Sequence, residues 1–180
     1  MMETAGPPRE LLRREPPANC RGASRRKGYK NRMELKVKYI AREGVPEYPL
    51  ERATPGSAGL DLHAAVNEPV RVEPGALVKI PSGVAVGIPA GHAGFVFARS
   101  GLGIKHGIAL SNGVGVIDGD YTGEICVGLC NVSNEAYTVE PGERIAQLVV
   151  MPVAYPASVR AEELETTARA AGGFGSTGKF

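Results

Sequence analysis

ALVKIPSGVAVGIPAGHAGFVFA, Ala76 to Ala98, holds three short apolar runs and two breaks. The runs are Ala76–Ile80, Gly83–Ile88 and Gly94–Ala98, and the breaks are Pro81-Ser82-Gly83 and Pro89-Ala90-Gly91. Each run is too short for a stable helix and rich in Val, Ile or Phe. Such runs, bounded by proline and glycine, read as β-strands joined by turns. Val84–Ile88 is apolar on nearly every residue, so neither face suits water. A second sheet or a partner chain is expected to cover it.

The same pattern extends in both directions. Glu34–Ala41 sets Leu35, Val37 and Tyr39 against charged neighbours, which reads as a half-buried strand. Val114–Ile117, Glu124–Asn131, Tyr137–Val139 and Ile145–Val153 follow, bounded by turn residues such as Asp118-Gly119 and Pro141-Gly142. Only Ala161–Ala168 has helical character, and it is short. With 24 glycines and 14 prolines in 180 residues, strands and turns are favoured over long helices. The expectation is one all-β domain, an antiparallel sandwich, jelly roll or barrel.

The net charge of +2 hides an asymmetry. Residues 1–33 carry nine Lys or Arg against three Glu, so the body is acidic. Residues 1–32 lack apolar periodicity and read as a disordered basic extension. Arg25-Arg26-Lys27 gives that arm at most a weak nucleic-acid contact, and no nucleic acid is required. Met33 directly precedes the first alternating stretch, so it reads as an alternative start. The β domain is expected over 33–160 and an arm over 161–180. No secretory core or membrane-length apolar run is visible, which points to the cytoplasm and away from a membrane partner. Cys126 and Cys130 lie four apart on an expected strand, too distant to bridge, and read as buried thiols. His63, His92 and His106 have no metal-ligand spacing.

Five stretches carry polar groups suited to chemistry. In SAGLDLHA, Ser57–Ala64, Asp61 sits between Leu60 and Leu62 and points away from the face they bury. That places it on the solvent face or beside a cation or metal-bound water. In ARSGLGIKHG, Ala98–Gly107, Arg99, Ser100 and Gly101 offer a guanidinium, a hydroxyl and a free amide to an anion. In NGVGVIDGDYTGEICVG, Asn112–Gly128, two apolar runs flank Asp118–Gly123, which reads as a hairpin. Asp118 is there either a turn former or a general base. In PGERIAQLVV, Pro141–Val150, Gln147 is a structural linker or a ligand contact, and Glu143 and Arg144 are placed to pair. RAAGGFGSTGKF, Arg169–Phe180, is a frayed tail or a segment that orders on a ligand.

Taken in order, these five stretches resemble the five motifs of the trimeric all-β dUTPases, and the resemblance spans roughly residues 34–178. It implies a homotrimeric jelly-roll-like sandwich or distorted barrel, with each active site shared among three chains and closed by the flexible glycine-rich arm. The implied reaction cleaves dUTP to dUMP and pyrophosphate, with Mg²⁺ held mainly by the phosphates. That reaction limits uracil incorporation into DNA and supplies dUMP for dTTP synthesis. Matched residue by residue, Asp118 resembles the carboxylate that activates water, and Asp61 the one that reaches Mg²⁺ through water. Arg99, Ser100, Gly101 and Gln147 resemble phosphate contacts, and Arg169 a clamp on the outermost phosphate. Asn112 and the backbone of Val116, Ile117 and Cys126 resemble the uracil-reading edge. Tyr121 matches the ring under the deoxyribose, and Phe174, with Gly175 and Ser176, the lid. Thr122 stands where the family usually has arginine, and Gly119 where serine is common. Ala170-Ala171 replaces a frequent glycine and acidic residue. A dCTP deaminase of the same fold would need a glutamate in the stretch before Asp118, and none is there. A non-catalytic nucleotide-sensing module would be expected to lack Asp118 or the tail, and both are present.

Overall fold

Leu77–Gly87 forms a single strand, although Pro81-Ser82-Gly83 reads as a turn in the sequence. The computed structural model describes residues 33–168 and 170–173. Numbered in chain order, the elements are β1 (Lys36–Tyr39), β2 (Leu60–His63), β3 (Val70–Val72), β4 (Leu77–Gly87), β5 (His92–Ala98) and α1 (Ser100–His106). They continue with β6 (Ile108–Leu110), β7 (Gly115–Ile117), β8 (Glu124–Asn131), β9 (Tyr137–Val139) and β10 (Arg144–Pro152).

β4 continues through its proline because the break is a bulge. Its pairing with β8 jumps from Pro81↔Cys126 to Ala85↔Glu124. Proline has no N–H to give to the ladder, and Gly83 takes a φ of 72°, which favours glycine. The buried Ser82 hydroxyl donates to the Ile125 carbonyl at 2.6 Å, so the bulge leaves no unsatisfied hydroxyl.

Two four-stranded antiparallel sheets, ordered β1-β4-β8-β6 and β2-β10-β5-β7, pack face to face. A small β3-β9 pair completes the strands. β8 shows the alternation that makes a sandwich: Ile125, Val127 and Leu129 are almost fully buried. Leu62 and Leu148 come from the opposite sheet to meet them, with Ile80, Ile108 and Ile145. Each such side chain contributes roughly 1.5–3 kcal/mol on burial. Asn131, the buried polar residue of the same row, donates to the Val72 and Glu135 carbonyls at 2.9 and 2.7 Å.

Three expectations need correction. Ala161–Ala168 is not a helix, and the described residues of 161–173 contain neither helix nor strand. The stretch after Arg99, where no helix was expected, is a helix, anchored by buried Leu102 and ended by Gly107 in the left-handed conformation. The cysteines of β8 are not buried: Cys126 is exposed and Cys130 half-buried. They alternate with the core residues and so occupy the outer face. Among the described residues, no helix is long and apolar enough to cross a membrane.

Candidate active site

Asp61, Arg99, Ser100, Gly101 and Gln147 line one cavity of about 250 Å³, together with Ala53, Ser57 and Gly59. Strand register explains the convergence. Gln147 of β10 pairs with Asp61 of β2 on one side and Phe97 of β5 on the other. Arg99 follows the end of β5, and Ser100 and Gly101 open α1. The first intrahelical bond comes from Gly103 N–H to the Arg99 carbonyl, so the preceding amides lie before the helical ladder begins.

The electrostatics of this cavity centre on Asp61. One oxygen lies 3.3 Å from Arg99 Nε and the other 3.1 Å from Arg144 Nη1. Arg99 Nη1 also donates to the Arg144 carbonyl at 3.1 Å. The carboxylate therefore aims Arg99 and leaves its remaining N–H groups for an anion. Arg144 pairs with Asp61 rather than with its neighbour Glu143, which instead accepts from the Tyr137 hydroxyl. Gln147 Nε2 donates to the Ala98 carbonyl at 3.1 Å, which holds the side chain across the cavity floor. Behind Asp61, burial lowers the His63 pKa, while the Asp61 charge opposes that shift.

Gly59 is a residue that sequence reasoning passed over. A Cβ there would lie 2.5 Å from Gln147 Oε1 and 2.9 Å from Gln147 Cβ. The glycine is buried, and its missing side chain makes room for the glutamine. Its place beside the Leu60-Asp61-Leu62 alternation was visible in the sequence, but its contact with residue 147 was not.

The second group of residues gathers elsewhere. Val116, Asp118, Gly119 and Asp120 line a cavity of about 600 Å³ with Ala93, Phe95, Val153 and Tyr155. Tyr155, for which the sequence offered no signal, donates its hydroxyl to the His92 carbonyl at 3.1 Å. Asp118 is exposed, and its carbonyl accepts the Tyr121 N–H at 3.1 Å, closing the turn. The flanking strands do not form the expected hairpin ladder. β7 pairs with β5 in one sheet and β8 with β4 in the other, so Asp118–Gly123 crosses between sheets.

That crossing leaves two strand edges open. β7 ends its sheet, and β6 pairs with β8 only over Leu129–Asn131. Glu124–Val127 thus has β4 on one side and no strand on the other among the described residues. Cys126 lies in that open stretch, where burial and the Glu124 charge both raise its thiol pKa. Asn112 lies in the turn before β7, and its Nδ2 is 3.7 Å from where a Gly115 Cβ would be. The expected roles of Arg169, Phe174, Gly175 and Ser176 fall outside the described residues.

The donor set constrains any metal. Among the described residues, no cluster of three His, Cys, Asp or Glu is placed to hold an ion. Asp61 is the single carboxylate of its cavity, and both its oxygens already face guanidinium groups. This fits a magnesium ion carried by ligand phosphates and touched through water, not one caged by protein.

An antiparallel sandwich with a guanidinium-lined pocket at one pole, and a carboxylate beside two open strand edges at the other, suits a ligand with an anionic chain and a flat hydrogen-bonding ring. Those features define a nucleotide-handling β-sandwich. Residues 48–178 match the dUTPase family model. The chain is 49% identical over 149 residues to a deoxyuridine 5′-triphosphate nucleotidohydrolase of Desulfitobacterium hafniense, covering 82% of this chain and 98% of the relative. It is 47% identical, again over 149 residues, to the enzyme of that name from Aeromonas salmonicida, covering 82% of this chain and 97% of that one. The solved structure of Staphylococcus bacteriophage 80alpha dUTPase with dUpNHpp superposes with a TM-score of 0.71 at 30% identity, over 81% of this chain and 98% of that chain. A mutant dUTPase from phage phi11 of S. aureus, described with a structural Mg(II) ion, gives 0.65 at 27% identity, over 74% of this chain and 100% of that one. The chain belongs to the dUTPase family.

Proposed function

We propose that the protein hydrolyses dUTP to dUMP and pyrophosphate as a homotrimer with shared active sites. The observation that carries the shared site is the separation of its two halves. Ile117 pairs with Gly94, so Asp118 stands level with Ala93, whereas Arg99 follows Ala98 at the other end of β5. Six residues of strand separate them, about 20 Å. No single triphosphate reaches both groups within one chain.

The surface between them supplies the reason to assemble. Phe95 and Phe97 stack at 6.4 Å on the outer face of β5. Val149 and Val116 flank Phe95 in register, and neither belongs to the core. An apolar face between two polar poles is the kind of patch that a further copy covers. Docking there brings one chain's Asp118 to another chain's Arg99.

In the assembled site, Asp118 accepts a proton from water as its oxygen attacks the α-phosphorus. The bond from that phosphorus to the bridging oxygen breaks, and pyrophosphate leaves with the electron pair. Arg99, aimed by Asp61, neutralises the phosphate oxygens, and Ser100, Gly101 and Gln147 position them. Asp61 would be the outer contact of a magnesium ion held on the triphosphate, and that ion would supply further charge neutralisation there. The open edges at Val116–Asp118 and near Cys126, with Asn112, read the uracil carbonyls and N–H as a pairing strand would. Cytosine then leaves polar groups unpaired, which discriminates strongly. Tyr121 lies under the deoxyribose. Residues 33–160 form the catalytic β domain, residues 1–32 a dispensable extension, and residues 161–180 the arm. Arg169 clamps the outer phosphate, and Phe174, Gly175 and Ser176 close over the base. The reading fits a cytoplasmic enzyme that keeps uracil out of DNA and feeds dTTP synthesis.

Pyrophosphate release from dUTP, dCTP, dTTP and UTP, with and without Mg²⁺, tests this reading. Release from dUTP that depends on the metal is expected, and intact dUTP beside purified protein and magnesium would refute it.

A further inference from the structure

Arg42 lies outside residues 48–178, which match the family model, and outside all five motifs. Yet it reaches the strand that returns from the Asp118 loop, where its Nη2 pairs with Glu124 Oε2. The other oxygen of that carboxylate accepts the Gly83 N–H at 2.8 Å. This amide is available because the β4 bulge takes it out of the ladder with β8. The Glu124 side chain is 17% exposed, so two donors hold a partly desolvated carboxylate. Such a group is fixed more firmly than an ordinary surface ion pair.

The main chain of the same residue holds Tyr121. The Tyr121 hydroxyl donates to the Glu124 carbonyl at 2.8 Å. Gly123 makes room for the ring, since a Cβ there would lie 2.7 Å from the hydroxyl oxygen. The ring therefore rests on the backbone of residues 123–124. The Glu124 side chain ties that backbone to the bulge and to Arg42.

Building on the proposed reading, in which Tyr121 lies under the sugar, we infer that Arg42 and the Glu124 carboxylate are specificity-positioning residues. They fix the carbonyl beneath the Tyr121 hydroxyl, and with it the clearance that leaves no room for a 2′-hydroxyl. Neither residue touches the reacting atoms. Loosening them lets the ring shift and the ribose enter, while Arg99 and Gln147 still hold the phosphates. The effect falls on sugar choice more than on turnover.

The test compares kcat/KM for dUTP and UTP, by pyrophosphate release, in the full-length protein and in Arg42→Met, Glu124→Gln, Tyr121→Phe and the Arg42→Met/Tyr121→Phe double variant. Arg42→Met is expected to reduce the preference for dUTP over UTP about tenfold, the loss of one charge-assisted contact, while kcat for dUTP changes less than about threefold. Glu124→Gln, which keeps an acceptor for Gly83, is expected to relax the ratio less. The double variant should be no more permissive than Tyr121→Phe alone, because both changes act through one hydroxyl. If Arg42→Met does not fold, the Glu124→Gln ratio decides. An unchanged ratio, or additive effects in the double variant, overturns the inference while the dUTPase reading stands. A wild-type protein that releases no pyrophosphate from dUTP overturns both.

Discussion

Asp118 and Arg99 are held at opposite ends of β5, because β7 pairs along that strand to Gly94 and α1 begins just after Ala98. The two groups most directly suited to water activation and phosphate binding are thus kept apart by the same sheet that positions them. Mixing inactive Asp118→Asn and Arg99→Ala chains by unfolding and refolding together should restore activity. In equal mixtures about a quarter of the sites would combine both native residues, the product of two even chances in a symmetric assembly. Restored pyrophosphate release would support sharing, and mixtures as inactive as either parent would count against it. Phe95→Asp, placed in the apolar face, should shift the species seen in sedimentation to a monomer and abolish activity.

Asp118→Asn keeps the size and the turn-forming ability of the side chain but removes its basicity. A drop in kcat of about a thousandfold is expected, the middle of the range for losing a general base. Binding of a non-hydrolysable dUTP analogue, measured by calorimetry, should change little. Near-normal turnover would show that Asp118 is not the base.

Gly59→Ala places a methyl 2.5 Å from Gln147 Oε1, inside contact distance. Gln147 must swing away and lose its bond to the Ala98 carbonyl. A stability loss of roughly 1–3 kcal/mol is expected from overpacking. KM should rise about tenfold, as expected for losing one hydrogen bond to a charged group. Gln147→Ala should show the same KM with a smaller stability loss, that of the bond to the Ala98 carbonyl without the overpacking, as read by thermal denaturation.

Truncation after Arg160 should leave the oligomer intact, because every strand of the described residues lies before that position. Most activity should disappear, since the arm supplies the closing contacts in the proposed site. Deletion of residues 1–32 should alter neither. An active truncated enzyme would remove the lid from the mechanism.

Cys126 is exposed yet has a raised pKa, caused first by partial burial of its sulfur and then by the Glu124 charge, with Lys79 and Arg42 opposing. A raised pKa means less thiolate at a given pH. Alkylation by iodoacetamide at pH 8, followed by peptide mass mapping, should be slower at Cys126 than for a free cysteine peptide. Glu124→Gln removes the charge that adds to the effect of burial and should speed the reaction.

Much of this molecule was legible in the sequence because strands carry local signatures. Glu124–Asn131 and Tyr137–Val139 appear at the boundaries their alternation and turn residues mark. Local pattern misled where long-range contacts intervene. Pro81-Ser82-Gly83 carries turn residues, but the Glu124 carboxylate and the Ile125 carbonyl satisfy its polar groups and keep β4 continuous. Gly101 and Gly103 disfavour a helix, and burial of Leu102 with the Gly107 cap permits one. Ala161–Ala168 has helical composition but no packed face to stabilise it.

Residue order alone carried the all-β class and singled out the polar groups of the five motifs as site candidates, because both are written in neighbouring side chains. Where those groups meet was decided only by tertiary pairing. Register across β2, β10 and β5 joins Asp61 to Gln147 and Arg99, although they are far apart along the chain. Register between β5 and β7 sends Asp118 to the other pole. Pairing register depends on which distant backbone groups find each other, and no local stretch of sequence carries that information.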